Sequence, residues 1–378
     1  MDYYSYLDTI DDSELLIGMT FDLSTLKQIV RNQTSIGMAA AMLSQLVMSA
    51  ICLFMILRLF LRPLQAVQHN IRKYKDTKDG ETVREDLAKI HSRNELGQLS
   101  EDVSELTTEI DDYLERIQTI TAEKERIGTE LALASRIQAS MLPNVFPAFP
   151  DKTEFDIYAA MHPAKEVGGD FYDFFLIDDD HLGMVIADVS GKGIPAALFM
   201  MASKIILANN AMMGKSPGRI LADANVSISA NNHEEMFVTV WLGILDLTTG
   251  MLTAANAGHE YPAVRHGNGE FTLVHDKHGL VIGAMPGVRY QEYEIKLNPG
   301  DMIFLYTDGV TEASDSEKNL FGTKRMLDAL NQELCTSANR ALEQVHQSIK
   351  EFVKDAEQFD DITMMCLEYR GQEDPKEF

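Results

Sequence analysis

EVGGDFYDFFLIDDDHLGMVIADVSGKGIP, residues 166–195, is the stretch of sequence that decides the fold. Residues 181–187 within it form a short apolar run rich in branched side chains, which predicts a buried strand. Asp188 is the first residue that cannot stay in an apolar core, so we expect it at the end of that strand. A glycine-containing turn follows, and Pro195 suits the first turn of a helix. The stretch therefore predicts a carboxylate held where a buried strand gives way to a helix.

Carboxylates recur beside other predicted strands. Gly168-Gly169 allows a close approach of the backbone just before Asp170. Others border the apolar runs at 301–306 and 362–369: Asp308, Asp360 and Asp361. Convergent carboxylates repel one another unless cations neutralise them, and an all-oxygen donor set suits magnesium or manganese. Each aspartate alone is also ordinary turn chemistry, so the prediction of a metal site depends on their number.

Five motifs in a fixed order extend this pattern over residues 150–370. They are EVGGDFYD at 166–173, DVSGKGIPAALFM at 188–200, NAGHEYP at 256–262, LYTDGVTEA at 305–313 and FDDIT at 359–363. In this order and spacing the chain resembles the SpoIIE/RsbU-type serine phosphatases, the bacterial branch of the metal-dependent (type 2C, PPM) protein phosphatases. The resemblance implies an α+β fold, an α-β-β-α sandwich with helices outside two packed sheets. Strands that arrive in runs joined by Gly, Asn and Asp favour antiparallel sheets as well.

The resemblance also implies a site for two divalent cations, Mn²⁺ or Mg²⁺. The implied catalytic and metal-binding residues are Asp170, Asp188, Asp308 and Asp360. The carbonyl group of Val189 is a further implied ligand, and Asp361 is the lesser candidate of its pair. Lys165 and His259 are candidate substrate contacts, with satisfied turn residues as the alternative. Asp173 and Glu312 are candidates for contact with the metal ligands or, equally, solvated loop acids.

Hydrolysis of a phosphate ester needs a nucleophile at neutral pH and neutralisation of charge on the transferring phosphoryl group. A pair of divalent cations does both, because it lowers the pKa of a bound water and clamps the phosphate. Eukaryotic relatives place a histidine just after the first-strand aspartate, whereas Val189 and Ser190 follow Asp188 here. No general acid is therefore assigned. The turn at 190–193, SGKG, lacks the GxxxxGKS/T pattern of a nucleotide-binding loop.

Charge balance and cysteine content exclude several classes of protein. The chain has 58 acidic residues against 33 lysines and arginines, a formal net charge of -25. Nucleic acid is not expected as a partner, because no predicted domain offers the basic face that a phosphate backbone requires. The three cysteines are scattered, without the spacing of a zinc site or a disulfide framework. A reducing cytoplasm fits the bulk of the chain.

A membrane-spanning helix is predicted over residues 35–60. No charged residue occurs from 32 to 57, and at about 1.5 Å per residue such a helix exceeds the roughly 30 Å hydrocarbon core of a bilayer. Basic residues follow the segment and acidic residues precede it, so the positive-inside rule places the N-terminus outside and the catalytic domain in the cytoplasm. We therefore expect a single-pass protein of the cell (inner) membrane. A buried core helix is the alternative.

The segment ahead of this helix, residues 1–34, is interpreted as an extracytoplasmic stub, the remnant of a sensor domain. Residues 14–21 predict a strand with no obvious partner. A lone strand cannot bury itself, and a short disordered tail is the alternative.

Residues 61–112 resemble a HAMP relay. Pro63 after the membrane segment and the Glu-Leu-Gly at 95–97 before a second amphipathic helix carry the resemblance. Two short helices with narrow apolar stripes cannot bury themselves alone, so we expect a parallel four-helix bundle in a homodimer. Residues 113–142 predict a two-stranded coiled coil with this seam: Tyr113, Ile120, Ile127, Ala134 and Met141. A static spacer and a two-state switch are both compatible with its weak points.

The main hypothesis is a membrane-anchored signalling phosphatase, regulated through the HAMP relay and coiled coil, that hydrolyses phosphoserine or phosphothreonine on a protein partner. In the family this partner is typically a STAS-domain anti-sigma-factor antagonist, also called an anti-anti-sigma factor. The alternative is a catalytically silent signalling or binding module of the same fold, against which the intact aspartate set argues. A histidine kinase is disfavoured, because neither a suitable helix histidine nor a nucleotide-binding motif follows the HAMP-like segment.

Overall fold

A computed structural model describes residues 3–9, 16–91, 94–230, 232–332 and 335–372 of the chain. The chain divides into two compact units, Met1–Lys124 and Glu125–Phe378. Each unit has hydrophobic clusters of its own, so each can be described by itself.

The N-terminal unit begins with a β-hairpin. Strand β1 (Tyr3–Thr9) pairs antiparallel with β2 (Leu16–Asp22), with Tyr6 opposite Met19. The strand predicted over 14–21 therefore has a partner, which corrects the expectation of a lone strand; residues 14 and 15 lie outside the described residues. The partner was missed because YYSYLDT lacks a clean alternation of apolar and polar side chains.

A long helix follows the hairpin. Helix α1 (Ser24–Ile56) continues through a π-helical segment (Leu57–Leu61) into α2 (Arg62–Thr77). This continuous helix of 54 residues contains a window that is long and apolar enough to cross a membrane, and none of that window is buried. The helix extends beyond the predicted range 35–60 because its polar flanks continue the helical hydrogen bonding. By length and composition it is a candidate membrane span.

Three helices of this unit share a small core. Helix α2, α3 (Gly80–Ala88) and the first part of α4 (Glu95–Ser140) meet around this cluster: Val67, Tyr74, Val83 and Leu87. Asp111 on α4 accepts hydrogen bonds at 2.8 Å from the hydroxyl of Tyr74 and from Arg84 Nη1. Helix α3 follows Asp79, whose side chain caps it by accepting from Thr82 N. The HAMP assignment stays a prediction.

Helix α4 runs without interruption through the predicted second HAMP helix and the predicted coiled coil. Apolar side chains along it are exposed in the single chain: Ile110, Tyr113, Ile117, Ile120 and Ile127. An apolar stripe of this kind is stable in water when another helix covers it. The coiled coil and the dimer stay predictions.

The second unit contains two five-stranded antiparallel sheets. The first has the order β10-β7-β6-β5-β4 and the second the order β3-β12-β11-β8-β9. The first sheet consists of β4 (Phe171–Leu176), β5 (His181–Val189), β6 (Val238–Asp246), β7 (Met251–Ala257) and β10 (Glu292–Lys296). The second consists of β3 (Phe155–His162), β8 (Ala263–Arg265), β9 (Thr272–Leu273), β11 (Met302–Tyr306) and β12 (Ile362–Tyr369).

Helices cover the outer face of each sheet. Helix α5 (Ile194–Ala211) and α6 (Pro217–Ser229) pack on the first sheet, and α9 (Ala338–Val353) packs on the second beside α8 (Gly322–Asn331). Helix α5 also passes a length and hydropathy test for a membrane span, but its contacts with β4 and β5 make it a core helix. Strand β5 is buried along nearly its whole length, because the second sheet covers one face and helices cover the other. The predicted α-β-β-α sandwich is confirmed.

The two sheets adjoin at the edge where several predicted site residues lie. Asp188, near the end of β5, is opposite Thr239 of β6. At the end of β11 the Thr307 amide donates to the Thr363 carbonyl of β12 at 3.0 Å, and the Thr307 hydroxyl reaches Asp170 ahead of β4. Residues from both sheets therefore meet at one end of the sandwich.

Candidate metal centre

Asp170 and Asp188 lie at this edge, the first buried and the second half-buried. Asp170 is 2% exposed, and its Oδ2 accepts a hydrogen bond from the Thr307 hydroxyl at 2.7 Å. Burial raises the pKa of Asp170 well above its usual value, and the charges of Asp188 and Asp361 raise it further. Burial likewise raises the pKa of Asp188 to about 7, with the charge of Asp308 as the next cause. These carboxylates therefore resist ionisation unless positive charge arrives.

Asp308 joins them from the end of β11, where it opens the short helix α7 (Asp308–Thr311). Burial raises its pKa to about 6, and the charges of Asp360 and Glu312 add to the effect. Glu260, which was not predicted as a site residue, also raises the pKa of Asp308 through its charge. Glu312 is exposed and its charge reaches Asp308, so both interpretations of Glu312 stay predictions.

Asp360 carries an ion pair that the sequence did not reveal. Its Oδ2 lies 2.9 Å from Nζ of Lys192, in the glycine-rich turn after β5. The same ammonium donates to the Phe359 carbonyl at 2.6 Å and lies 3.7 Å from the centre of the Phe359 ring. In the sequence, Lys192 is one residue of the SGKG turn. The flexible glycines of this turn do not indicate where the lysine side chain points.

Asp361 accepts hydrogen bonds from the loop before β4, and its charge also raises the pKa values of Asp170 and Asp188. Its Oδ1 accepts from Ala164 N and its Oδ2 from Gly169 N, both at 2.8 Å. Two backbone amides therefore occupy this carboxylate, which ties the loop before β4 to the start of β12. Asp361 as a metal ligand stays a prediction, because a carboxylate has acceptor sites beyond those that these two amides use.

His259 is buried at 4% exposure, with both ring nitrogens engaged. Nδ1 lies 2.8 Å from the Thr239 hydroxyl and Nε2 lies 3.1 Å from the Tyr306 carbonyl. Burial lowers the pKa of His259 to about 3, so the ring is neutral at pH 7. This corrects the expectation of a substrate contact, because no ring nitrogen is left for a ligand. Lys165, the other candidate, is exposed on the loop before the diglycine.

Two further candidates are separated by their surroundings. Asp173 on β4 forms a buried ion pair with Lys204 of α5, with 2.6 Å between Oδ2 and Nζ. Asp173 therefore connects the helix to the sheet, which neither interpretation of this residue anticipated.

The carbonyl of Val189 faces the diglycine, since a Cβ atom placed on Gly169 would lie 3.0 Å from that oxygen. A side chain at Gly169 would therefore require the Val189 carbonyl to move.

The donor chemistry of the edge fits hard divalent cations. Asp170, Asp188 and Asp308 offer oxygen donors, and their raised pKa values have a common cause in burial without sufficient positive charge. Among the described residues, no three histidine, cysteine, aspartate or glutamate side chains already converge closely enough to hold a metal ion. Asp360 in particular is paired with Lys192 and would have to leave it to act as a ligand.

Comparison with known proteins places the chain in a family. The family model described as Stage II sporulation protein E (SpoIIE) matches residues 178–370, slightly more than half of the chain. The chain is 31% identical over 289 residues to Protein IcfG of Synechocystis sp.. This alignment covers 68% of this chain and 44% of IcfG. It is 30% identical over 251 residues to phosphoserine phosphatase RsbU of Bacillus subtilis. This alignment covers 66% of this chain and 73% of RsbU.

Solved structures agree on the fold. The SiaA-PP2C domain of Pseudomonas aeruginosa superposes with a TM-score of 0.59 at 23% identity, over 66% of this chain and 99% of that domain. The RsbU and RsbW domains of a Mycobacterium tuberculosis protein superpose with a TM-score of 0.51 at 24% identity, over 58% and 61% of the two chains. The sandwich is thus a PP2C-type phosphatase fold. More specifically, this chain belongs to the SpoIIE family.

Proposed function

We propose that the chain is a metal-dependent protein phosphatase that hydrolyses phosphoserine or phosphothreonine on a protein partner. One observation carries the proposal: carboxylates from both sheets meet at one edge, where desolvation and the charges of neighbouring carboxylates raise the pKa values of Asp170, Asp188 and Asp308. A stable fold does not need such repulsion, whereas a cation site does. The similarity to phosphoserine phosphatase RsbU supports the reaction class.

In this proposal two divalent cations, Mn²⁺ or Mg²⁺, are held by Asp170, Asp188, Asp308 and Asp360, with the Val189 carbonyl as a further ligand. When bound, the cations supply an activated water and neutralise the charge of the phosphoryl group. Asp361 keeps the diglycine backbone in place, and His259 holds β6 against the end of β11. Lys165, exposed beside the diglycine, contacts the phosphoprotein.

The partner and the regulation belong to the same proposal. The substrate is a phosphorylated STAS-domain protein of a partner-switching system, consistent with the resemblance to RsbU and with a net charge that disfavours nucleic acid. The long apolar helix anchors the enzyme in the cell membrane with the phosphatase domain in the cytoplasm. The exposed apolar stripe of α4 pairs with that of a second copy, and the HAMP-like helices and this coiled coil control activity.

The test is phosphate release from a phosphoserine STAS-domain protein by the full chain in detergent micelles or nanodiscs. Reactions contain Mn²⁺, Mg²⁺ or a chelator, and Asp188→Asn is compared with the unchanged chain. We expect turnover that requires the metal and disappears in the variant. Metal-dependent turnover that survives in Asp188→Asn would contradict the assignment of the site. Absence of turnover in a folded chain with every metal would favour the catalytically silent module.

A further inference from the structure

The loop between β9 and β10 carries a histidine–aspartate pair. Nδ1 of His278 lies 3.5 Å from Oδ1 of Asp276, and the Asp276 side chain is 1% exposed whereas that of His278 is 29% exposed. The ring of Tyr261 packs against the imidazole, with 4.3 Å between the ring centres. The described residues make no hydrogen bond to Nε2 of His278. Unlike His259, whose two ring nitrogens are both engaged, His278 therefore keeps one nitrogen for a ligand.

Asp276 lacks a firm partner. Both of its carboxylate oxygens are buried without a hydrogen bond of normal geometry among the described residues. A buried carboxylate without a donor is unfavourable, and a proton on Nδ1 of His278 is a donor within reach. The long contact of 3.5 Å is compatible with this role, because catalytic hydrogen bonds often shorten when the substrate binds. The pair thus directs Nδ1 inward.

The loop that carries the pair lies along the NAGH motif at 256–259. Gly279 N donates to the Asn256 carbonyl at 2.8 Å, and the Asn256 side chain accepts from His259 N at 2.7 Å. The His259 ring in turn contacts the carbonyl of Tyr306, the last residue of β11, two residues before Asp308. The loop is therefore connected through one motif to the strand end that supplies a proposed metal ligand.

The charge of Glu260 links the pair to the same ligand. Burial raises the pKa of Glu260, and the positive charge of His278 opposes this effect. Glu260 is in turn one of the charges that, after burial, raise the pKa of Asp308. Because such effects weaken with distance, His278 and Asp308 both lie in the neighbourhood of Glu260.

We propose that His278 is the general acid of the phosphatase and that Asp276 is its positioning residue. The inference rests on the proposed function, since it assigns a role in that reaction. The alkoxide of serine or threonine is a poor leaving group, and a positioned acid commonly accelerates such a departure by about 100-fold to 10,000-fold. No other residue of the site has been assigned this task, because valine and serine follow Asp188.

The step balances without a further reactant. The oxygen of a water molecule bonds to phosphorus, and that water gives up one proton to the solvent. The bond between phosphorus and the seryl or threonyl oxygen breaks, and this oxygen takes the proton from Nε2 of His278. The imidazole then regains a proton from the solvent, so that the products are the free hydroxyl side chain and inorganic phosphate.

The experiment compares two substrates that differ in their need for an acid. One is a phosphoserine protein, and the other is p-nitrophenyl phosphate, whose phenolate leaves without a proton. The full chain in nanodiscs with Mn²⁺ is compared with His278→Gln and Asp276→Asn. We expect His278→Gln to lower kcat for the phosphoserine protein by about 100-fold and for p-nitrophenyl phosphate by less than about threefold, with KM for the protein nearly unchanged. Asp276→Asn should act in the same direction by a smaller factor.

A second histidine–aspartate pair provides the matched control. Nδ1 of His266 lies 2.6 Å from Oδ2 of Asp301, which adjoins the end of β11 away from Asp308, and the His266 side chain is 60% exposed. His266→Gln should leave kcat for both substrates near that of the unchanged chain. Melting temperatures and calorimetric Mn²⁺ affinity show that each variant is folded with its metal site intact.

The assignment of His278 is overturned if the folded His278→Gln variant keeps its kcat on the phosphoserine protein. Equal losses on both substrates overturn it too, because an acid acts only where the leaving group needs a proton. A rise in KM for the protein without a fall in kcat would make His278 a docking residue instead. Absence of turnover of either substrate by the unchanged chain would contradict the proposed function itself, and the role of His278 with it.

Discussion

Strand β11 has an aspartate at each end, and the two are held in opposite ways. Asp301 accepts hydrogen bonds from His266 Nδ1 at 2.6 Å, from Gly267 N at 2.7 Å and from Asn298 N at 2.9 Å. Burial acts to raise the pKa of Asp301, but these donors outweigh it and the pKa is lowered. At the other end burial raises the pKa of Asp308 to about 6, and Asp360 and Glu312 raise it further.

The comparison distinguishes Asp301, a carboxylate that stabilises the fold, from Asp308, a carboxylate that needs a bound cation to become favourable. Three donors surround Asp301, so its charge is favourable in the folded chain. Asp308 faces other carboxylates, so its charge lowers stability until positive charge is supplied. At both ends of β11 an aspartate adjoins the strand, so the local sequence is similar. The residues that surround each aspartate decide its role.

The largest expected effect is on catalysis at the Asp308 end. Asp308→Asn keeps the size of the side chain but removes the negative charge that holds a cation. We expect phosphate release to fall by about 1,000-fold or more, because the remaining ligands no longer place the cation and its water. Chemical unfolding with a chelator present should show stability that is unchanged or slightly increased. Full activity in this variant would remove Asp308 from the site.

Asp301→Asn is the matched change at the other end of the strand, and its expected effect is on stability. It replaces a carboxylate that three donors satisfy, so the free energy of unfolding should fall by about 2 kcal/mol. Urea titration of the phosphatase unit's tryptophan fluorescence measures this loss, since Trp241 is buried there. Activity per folded molecule should remain near that of the unchanged chain. Loss of activity without loss of stability would contradict the comparison.

The pH dependence of stability should differ between the two ends. The raised pKa values of Asp188 and Asp308, about 7 and about 6, mean that the folded metal-free chain binds protons more tightly than the unfolded chain. Stability then falls as pH rises from about 4 to about 7, since the unfolded chain loses these protons first. Asp301 has a lowered pKa, so its contribution is present above its unfolded value of 3.8 and is lost as pH falls through the folded value.

Melting temperatures between pH 4 and 8 in chelator test this expectation. Asp308→Asn should flatten the decline toward neutral pH, whereas Asp301→Asn should lower the melting temperature by a similar amount across this range and leave the decline in place, because the Asp301 contribution is lost only below pH 3.8. Equal pH profiles for the two variants would show that the two ends of β11 are not electrostatically distinct.

The smallest expected effect comes from an ion pair at the metal edge. Lys192→Met breaks the partly exposed pair with Asp360 and should cost less than about 1 kcal/mol of stability in chelator. Lys204→Met is the control, because it leaves Asp173 buried and unpaired at a cost of about 3 kcal/mol. Urea unfolding ranks the two variants. A larger loss of stability for Lys192→Met than for Lys204→Met would mean that the Lys192–Asp360 pair stabilises the fold and is not a contact that Asp360 readily gives up.

The strands were the most predictable part of the fold. The final strand occupies 362–369 as predicted, and β11 occupies the predicted apolar run up to Tyr306. Apolar runs bounded by turn residues are local signals, so they survive without knowledge of the partners. The N-terminal hairpin and α3 were missed because their sequences carry mixed patterns, and their formation depends on pairing and on the small core of α2, α3 and α4.

The sequence by itself determined the family, the sandwich and the places where carboxylates end the strands, because motif order and hydrophobic pattern are properties of the chain. The tertiary structure decided which way the side chains face. Asp361 turned to the diglycine and His259 to the interior. Each of these contacts joins residues far apart in the chain, and the direction of a side chain depends on neighbours that only folding brings together.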